Sequence, residues 1–179
     1  MIIMDLSFAE TATPAVPANR AATVHIVVQV DSADALTHVN FAFASIDPSS
    51  YEIVAMDSAT PTSLFKNTTN IKSIKKDISV YISIGGWSFS DNGTDTQPLF
   101  GEIAASETKR QTFANNVVHF MQQYGFDGVD IDWEYPGAGD RGGKAEDTAN
   151  YVLLLKTLRE TFDASGSTFG LTFTAPSSY

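Results

Sequence analysis

The sequence predicts an α/β fold in which parallel strands are covered by helices. Two observations carry this expectation. Strand-like and helix-like segments alternate along most of the chain, and alternation implies parallel pairing with helices packed outside. The strand-like segments at 37–46 and 79–84 carry apolar residues at both parities, as strands covered on both faces do.

Taken in order, residues 1–22 are rich in Ala, Thr and Pro, show no period, and are expected to be an irregular leader. The ordered domain is expected over 23–179. Its strands are predicted at 23–30 (TVHIVVQV), 37–46 (THVNFAFASI), 79–84 (SVYISI), 129–134 and 170–175 (GLTFTA), on β-branched and aromatic content. A weak helical pattern covers 62–76, with Leu64, Phe65, Ile71 and Ile74 as its apolar positions. A stronger one covers 106–124. Ser106 is placed to cap it, Glu107 sits in the first turn, and Phe113, Val117, Phe120, Met121 and Tyr124 form one stripe before Gly125. A third covers 145–165, with Tyr151, Leu154, Leu155, Leu158 and Phe162 facing one way and Gly166 following. Residues 88–101 read as a long irregular loop bordering a site.

Composition excludes several partners. The chain has 179 residues, 21 acidic against 11 basic, and a net charge of −10. Such a surface repels nucleic acid and anionic membrane, and leaves neutral sugars unpenalised. Lys72, Lys75 and Lys76 are spaced as a solvated helix face. There is no cysteine, hence no disulfide or thiolate site. No run approaches the roughly 18 apolar residues of a membrane span. The first residues lack a basic region, and Asp5 and Glu10 break any apolar core, so they make a poor secretion signal. Two glycosylation sequons, at Asn67 and Asn92, matter only in a secreted chain.

The chemistry concentrates in FDGVDIDWEYP, residues 126–136. Along a strand Asp130, Asp132 and Glu134 point one way, and Val129, Ile131 and Trp133 the other. The carboxylates would then stand roughly 6.5–7 Å apart. One reading is a half-solvated strand with its polar face in water. The neighbouring strands argue for the other, an enclosed acidic face. Enclosed carboxylates repel one another and lose hydration, so some hold protons above their ordinary range. Enzymes use such a cluster to keep one acid protonated near neutral pH. In a parallel barrel the C-terminal strand ends form the active face, which places Glu134 at the mouth as a general acid.

DGVDIDWE follows D-x-x-D-x-D-x-E and resembles the catalytic signature of glycoside hydrolase family 18, the chitinases and their relatives. SIGGW at 83–87 resembles the family's second signature, and LTHVNFAFASID its second-strand region. YGFDGVDIDWEYP, the later DRGG and APSSY are similar to the fungal killer-toxin-like group. The resemblance spans about residues 33–179. It implies a (β/α)8 barrel of which this chain carries roughly strands one to five with their outer helices. A whole barrel takes about 250 residues, so the chain is expected to be a truncated piece with an incomplete site.

The resemblance also implies roles. Glu134 would protonate the glycosidic oxygen, and the substrate's own N-acetyl carbonyl would attack the anomeric carbon. Asp132 would orient the acetamido group, Asp130 would share a proton with Asp132, and Asp127 would be structural support. Ser83, Gly85 and Gly86 would line the floor; for the glycines a turn with positive φ is the competing explanation. Trp87 fits either a stacking platform for a pyranose or a packed indole. Tyr135 fits a cleft border or packing. Phe41 and Phe43, expected on one face of their strand, fit a cleft base or the core. The partner implied is chitin or chito-oligosaccharides, the setting extracellular. No metal or other cofactor is expected; His25, His38 and His119 lack ligand spacing. The alternatives are a non-catalytic carbohydrate-binding relic and a barrel enzyme using clustered acids on a phosphate or metal.

Overall fold

Strand β1 (Ile2–Asp5) and strand β2 (His38–Ile46) lie side by side and run parallel, with Ile2 opposite Val39 and Asp5 opposite Ala42. The structure is a computed structural model and describes residues 2–5 and 36–176. The irregular leader expected over 1–22 is therefore corrected at its start, where Ile2–Asp5 pairs into the sheet. The strand expected over 23–30 lies outside the described residues.

Four more strands complete the sheet: β3 (Ile53–Ala55), β4 (Ser79–Gly85), β5 (Gly128–Asp132) and β6 (Gly170–Phe173). The order is β1-β2-β4-β5-β6, every neighbouring pair parallel, and the short β3 returns antiparallel onto β2. The helices are α1 (Ser63–Thr69), α2 (Leu99–Ala105), α3 (Glu107–Tyr124) and α4 (Asp147–Ala164). This is a partial (β/α)8 barrel, five parallel strands wide with its helices on one side.

Strand parity sorts the two faces. Val80, Ile82 and Ile84 of β4 and Val129 and Ile131 of β5 are fully buried. They share one parity and form one core with Phe113, Val117 and Met121 of α3 and Leu154, Leu158 and Phe162 of α4. Burying each large side chain contributes roughly 1.5–3 kcal/mol. Residues of the other parity stand in cross-strand rows: Tyr81 with Gly128 and Gly170, Ser83 with Asp130 and Thr172, Gly85 with Asp132. Both parities of β4 and β5 are largely buried, as expected of strands covered on both faces. Helices cover one face, and the barrel side is lined by hydroxyls, carboxylates and glycines. Glycine is required at the lowest row, because a Cβ on Gly170 would lie 1.7 Å from the Tyr81 hydroxyl.

The strongest helix prediction holds in detail. Ser106 caps α3 by accepting from the Lys109 amide, and Gly125 ends it at φ +82°. The expected 62–76 helix breaks earlier. The Thr69 hydroxyl donates to the Tyr124 carbonyl at 2.7 Å, α1 stops, and a 3₁₀ turn over Asn70–Ser73 changes the phase. Ile74, expected in the stripe, is 82% exposed as a result. The expected loop at 88–101 is also more ordered, with a 3₁₀ turn at Trp87–Ser90 and the start of α2. Phe89 and Phe100 meet there with ring centroids 4.9 Å apart.

Candidate active site

β5 ends at Asp132, so Trp133 and Glu134 lie just past the strand, at its C-terminal end. Trp133 continues the helix-side parity. Its indole is buried, stacked on Phe100 at 5.6 Å and edge-on to Tyr151 at 5.3 Å. That packing anchors the segment, while the carboxylates on either side of Trp133 turn toward the barrel face. The Tyr151 hydroxyl donates to the Ile131 carbonyl at 3.2 Å and ties α4 to the same strand.

Asp130 and Asp132 are both buried, 8% and 6% exposed, which decides between the solvated and the enclosed readings of the acidic strand. Asp130 is fully engaged. The Ser83 hydroxyl donates to one of its oxygens at 3.0 Å and the Thr172 hydroxyl to the other at 2.7 Å. Asp132 is not: its Oδ1 is buried and finds no donor among the described residues. Burial pushes the Asp132 carboxyl up to about 6, and the nearby Glu134 and Asp130 charges push the same way, while the Thr174 hydroxyl pulls against them. Asp132 and Glu134 therefore stand close enough for the Glu134 charge to act on the Asp132 carboxyl. Tyr135 borders Glu134, and partial burial, followed by the Glu134 carboxylate, raises its phenol.

The Gly85–Gly86 pair at the end of β4 has φ of +113° and +89°. A Cβ on Gly85 would lie 2.3 Å from the Asp132 carbonyl oxygen, and the Gly86 amide donates to that oxygen at 2.9 Å. Positive φ accounts for both glycines, with the close approach of β5 adding to it at Gly85 and the Phe43 ring at Gly86. Phe43 sits at a bulge in β2, between Ala42 and Ala44, and its ring lies against Gly86. The bulge parts it from Phe41, which packs on Phe65 in the helix-side core; the expectation that the two phenylalanines share a face is corrected. Ser83 is 2% exposed and spends its hydroxyl on Asp130. Trp87 is 57% exposed, so it is no packed core indole.

Asp127 stands apart, at the opposite end of β5. It accepts from the Val80 amide at 2.8 Å and from Lys72 Nζ at 2.7 Å. Three contributors escaped the reading of the sequence. Thr172 and Thr174 have the parity of the acid row, a signal visible only once β6 is registered against β5. Arg141 reaches the site from a 3₁₀ turn over Gly139–Arg141. Among the described residues no three His, Cys, Asp or Glu side chains converge as a metal site, and no helix is long and apolar enough to cross a membrane.

The described barrel face thus carries a buried aspartate pair, Asp130 and Asp132, below an acid at the strand end. The sequence matches the model of the glycosyl hydrolases family 18 over residues 15–179, and the chain belongs to that family. It is 30% identical over 142 residues to an endochitinase of Manduca sexta, covering 78% of this chain and 24% of that protein. It is 39% identical over 145 residues to the killer toxin subunits alpha/beta of Kluyveromyces lactis, covering 79% of this chain and 11% of that protein. Among solved structures, catalytic domain 2 of a Group II chitinase from Ostrinia furnacalis, in complex with (NAG)5, superposes with a TM-score of 0.66 at 28% identity. That match covers 78% of this chain and 35% of the other. The chain thus spans a quarter or less of these two curated relatives.

Proposed function

We propose that this chain carries the acid–base centre of a chitinase-type hydrolase cleaving β-1,4-linked N-acetylglucosamine polymers. The observation that carries the reading is the row Asp130, Asp132 and Glu134. A fully bonded buried aspartate supports a second aspartate with one unpartnered oxygen, beside an acid at the strand end. The chito-oligosaccharide bound by the Ostrinia relative supports the substrate class.

In this reading Glu134 protonates the departing glycosidic oxygen. The acetamido carbonyl of the sugar attacks the anomeric carbon, forming an oxazolinium ion with retention after water opens it. Asp132, elevated to about 6, accepts the acetamido N–H and stabilises the positive charge that develops there. Asp130, fixed by Ser83 and Thr172, stands one row below Asp132 and through its charge helps Asp132 keep its proton. Glu134, as carboxylate, then takes a proton from the incoming water. Trp87 offers an exposed aromatic face to a pyranose, and Tyr135 borders the acid. Gly85, Gly86 and Phe43 shape the floor beside it.

The test is release of chito-oligosaccharides from soluble chitin substrates by the chain and by Glu134→Gln. Loss of turnover in the variant with retained sugar binding is the expected result. Equal turnover in both removes Glu134 from the acid role, and binding without turnover in either points to a carbohydrate-binding module instead.

A further inference from the structure

Arg141 makes contacts that neither the fold nor the acid row requires. It lies seven residues beyond Glu134, yet its side chain reaches across to the segment that follows β4. Its Nε donates to the Glu134 carbonyl oxygen at 2.9 Å. Its Nη2 donates to the Trp87 carbonyl oxygen, and approaches Asp91 Oδ1 at 3.3 Å. Its guanidinium lies over the Trp87 ring, 3.8 Å from the centroid. The Arg141 side chain is only 11% exposed. One other bond joins the same two segments, from the Asn92 side-chain amide to the Asp140 carbonyl at 2.9 Å.

We propose that Arg141 is a positioning residue that ties the backbone of Glu134 to the indole of Trp87, fixing the distance between proton donor and sugar platform. The proposal rests on the hydrolase reading above. The guanidinium backs one face of the indole. Trp87 nevertheless stays 57% exposed, so its outer face is open to a ring stacking from the cleft. Only a planar, forked donor serves three acceptors while lying flat on an aromatic face; an ammonium is a point charge and does not. Glu134 sits past the end of β5, without a strand partner to hold it. A tie at its carbonyl therefore sets where its carboxyl points, and small misplacements of a reacting group cost up to about a hundredfold in rate.

The experiment compares the chain with Arg141→Ala and Arg141→Lys by two readouts. Acrylamide quenching of tryptophan fluorescence follows Trp87, the exposed one of the two tryptophans, and Trp87→Phe identifies its share. Both arginine variants should show stronger quenching, and kcat on chito-oligosaccharides should fall roughly ten- to a hundredfold. Guanidinium ion at low millimolar concentration should restore turnover in Arg141→Ala and leave Arg141→Lys unchanged, a rescue that a general loss of stability would not give. Unchanged quenching in a folded variant overturns the tie, and loosened tryptophan with unchanged kcat overturns the positioning role. If Arg141→Ala does not fold, Arg141→Lys decides both points. If the parent chain cleaves nothing, the hydrolase reading fails by itself, and quenching still decides whether Arg141 holds the indole.

Discussion

The Ser83 hydroxyl donates to Asp130 at 3.0 Å from the facing position of the neighbouring strand, in register. Thr172 does the same from the other side at 2.7 Å. A buried carboxylate bonded on both oxygens is stable only while each keeps a donor. Ser83→Ala should lower unfolding free energy by about 1–3 kcal/mol, since it leaves a desolvated oxygen without a partner. Thr172, by contrast, is exposed and water can take its place, so Thr172→Val should cost less. Urea unfolding at neutral pH measures this.

Asp132 leads to a prediction of pH dependence. Its carboxyl sits at about 6 in the folded chain against an ordinary 3.8. Between those values the folded chain keeps a proton that the unfolded chain has released. The stability from this group is therefore full below about pH 4 and is lost as pH rises through 6. Asp132→Asn does not titrate. Wild-type stability minus variant stability should fall by on the order of 1–3 kcal/mol between about pH 4 and 7, then level off. A difference that is flat, or climbs with pH, contradicts the raised value.

Gly85 provides a conformational test with an internal control. At φ +113° and with the Asp132 carbonyl oxygen 2.3 Å from any added Cβ, Gly85→Ala meets both backbone strain and a clash. Gly93 has φ +84° and nothing within 4 Å of its Cβ position. Gly93→Ala should cost only the strain, about 1–2 kcal/mol. Gly85→Ala should cost roughly 2–5 kcal/mol, because strain and overpacking add. Thermal melts of the two variants side by side give the comparison. Similar losses in both would mean that β5 moves away freely.

Much of this was legible in the sequence because it depends on period. The stripe from Phe113 to Met121, its Ser106 cap and its Gly125 stop are local features, and the structure realises them. The acid row follows from the two-residue repeat of a strand. What failed depends on partners distant in sequence. Thr69 ends α1 by bonding Tyr124, 55 residues away, and Ile74 leaves the core for that reason. A single bulge beside Ala42 sends Phe43 to the opposite face from Phe41, and no periodic pattern announces it. Thr172 carries no local signal, and Arg141 lies in the DRGG stretch without any local pattern that gives it a role. Their importance comes from register and from a turn that brings a guanidinium onto an indole.

Asp127 lies outside the acid row, at the start of β5, and its effect should be purely on stability. One oxygen accepts from the Val80 amide at 2.8 Å, and the other from Lys72 Nζ at 2.7 Å. Both side chains of the ion pair are partly exposed, 31% for Lys72 and 37% for Asp127, so the Coulomb attraction is screened and worth about 0–1 kcal/mol. The amide bond matters more, because Val80 is fully buried and its N–H has no other acceptor once the carboxylate is gone. Asp127→Ala should therefore cost about 1–3 kcal/mol, and Lys72→Ala no more than about 1 kcal/mol. Salt should weaken only the lysine effect. Chemical denaturation of both variants in low and high salt separates the two contributions. Equal losses from Asp127→Ala and Lys72→Ala, both erased by salt, would mean that the ion pair rather than the strand amide is what Asp127 serves.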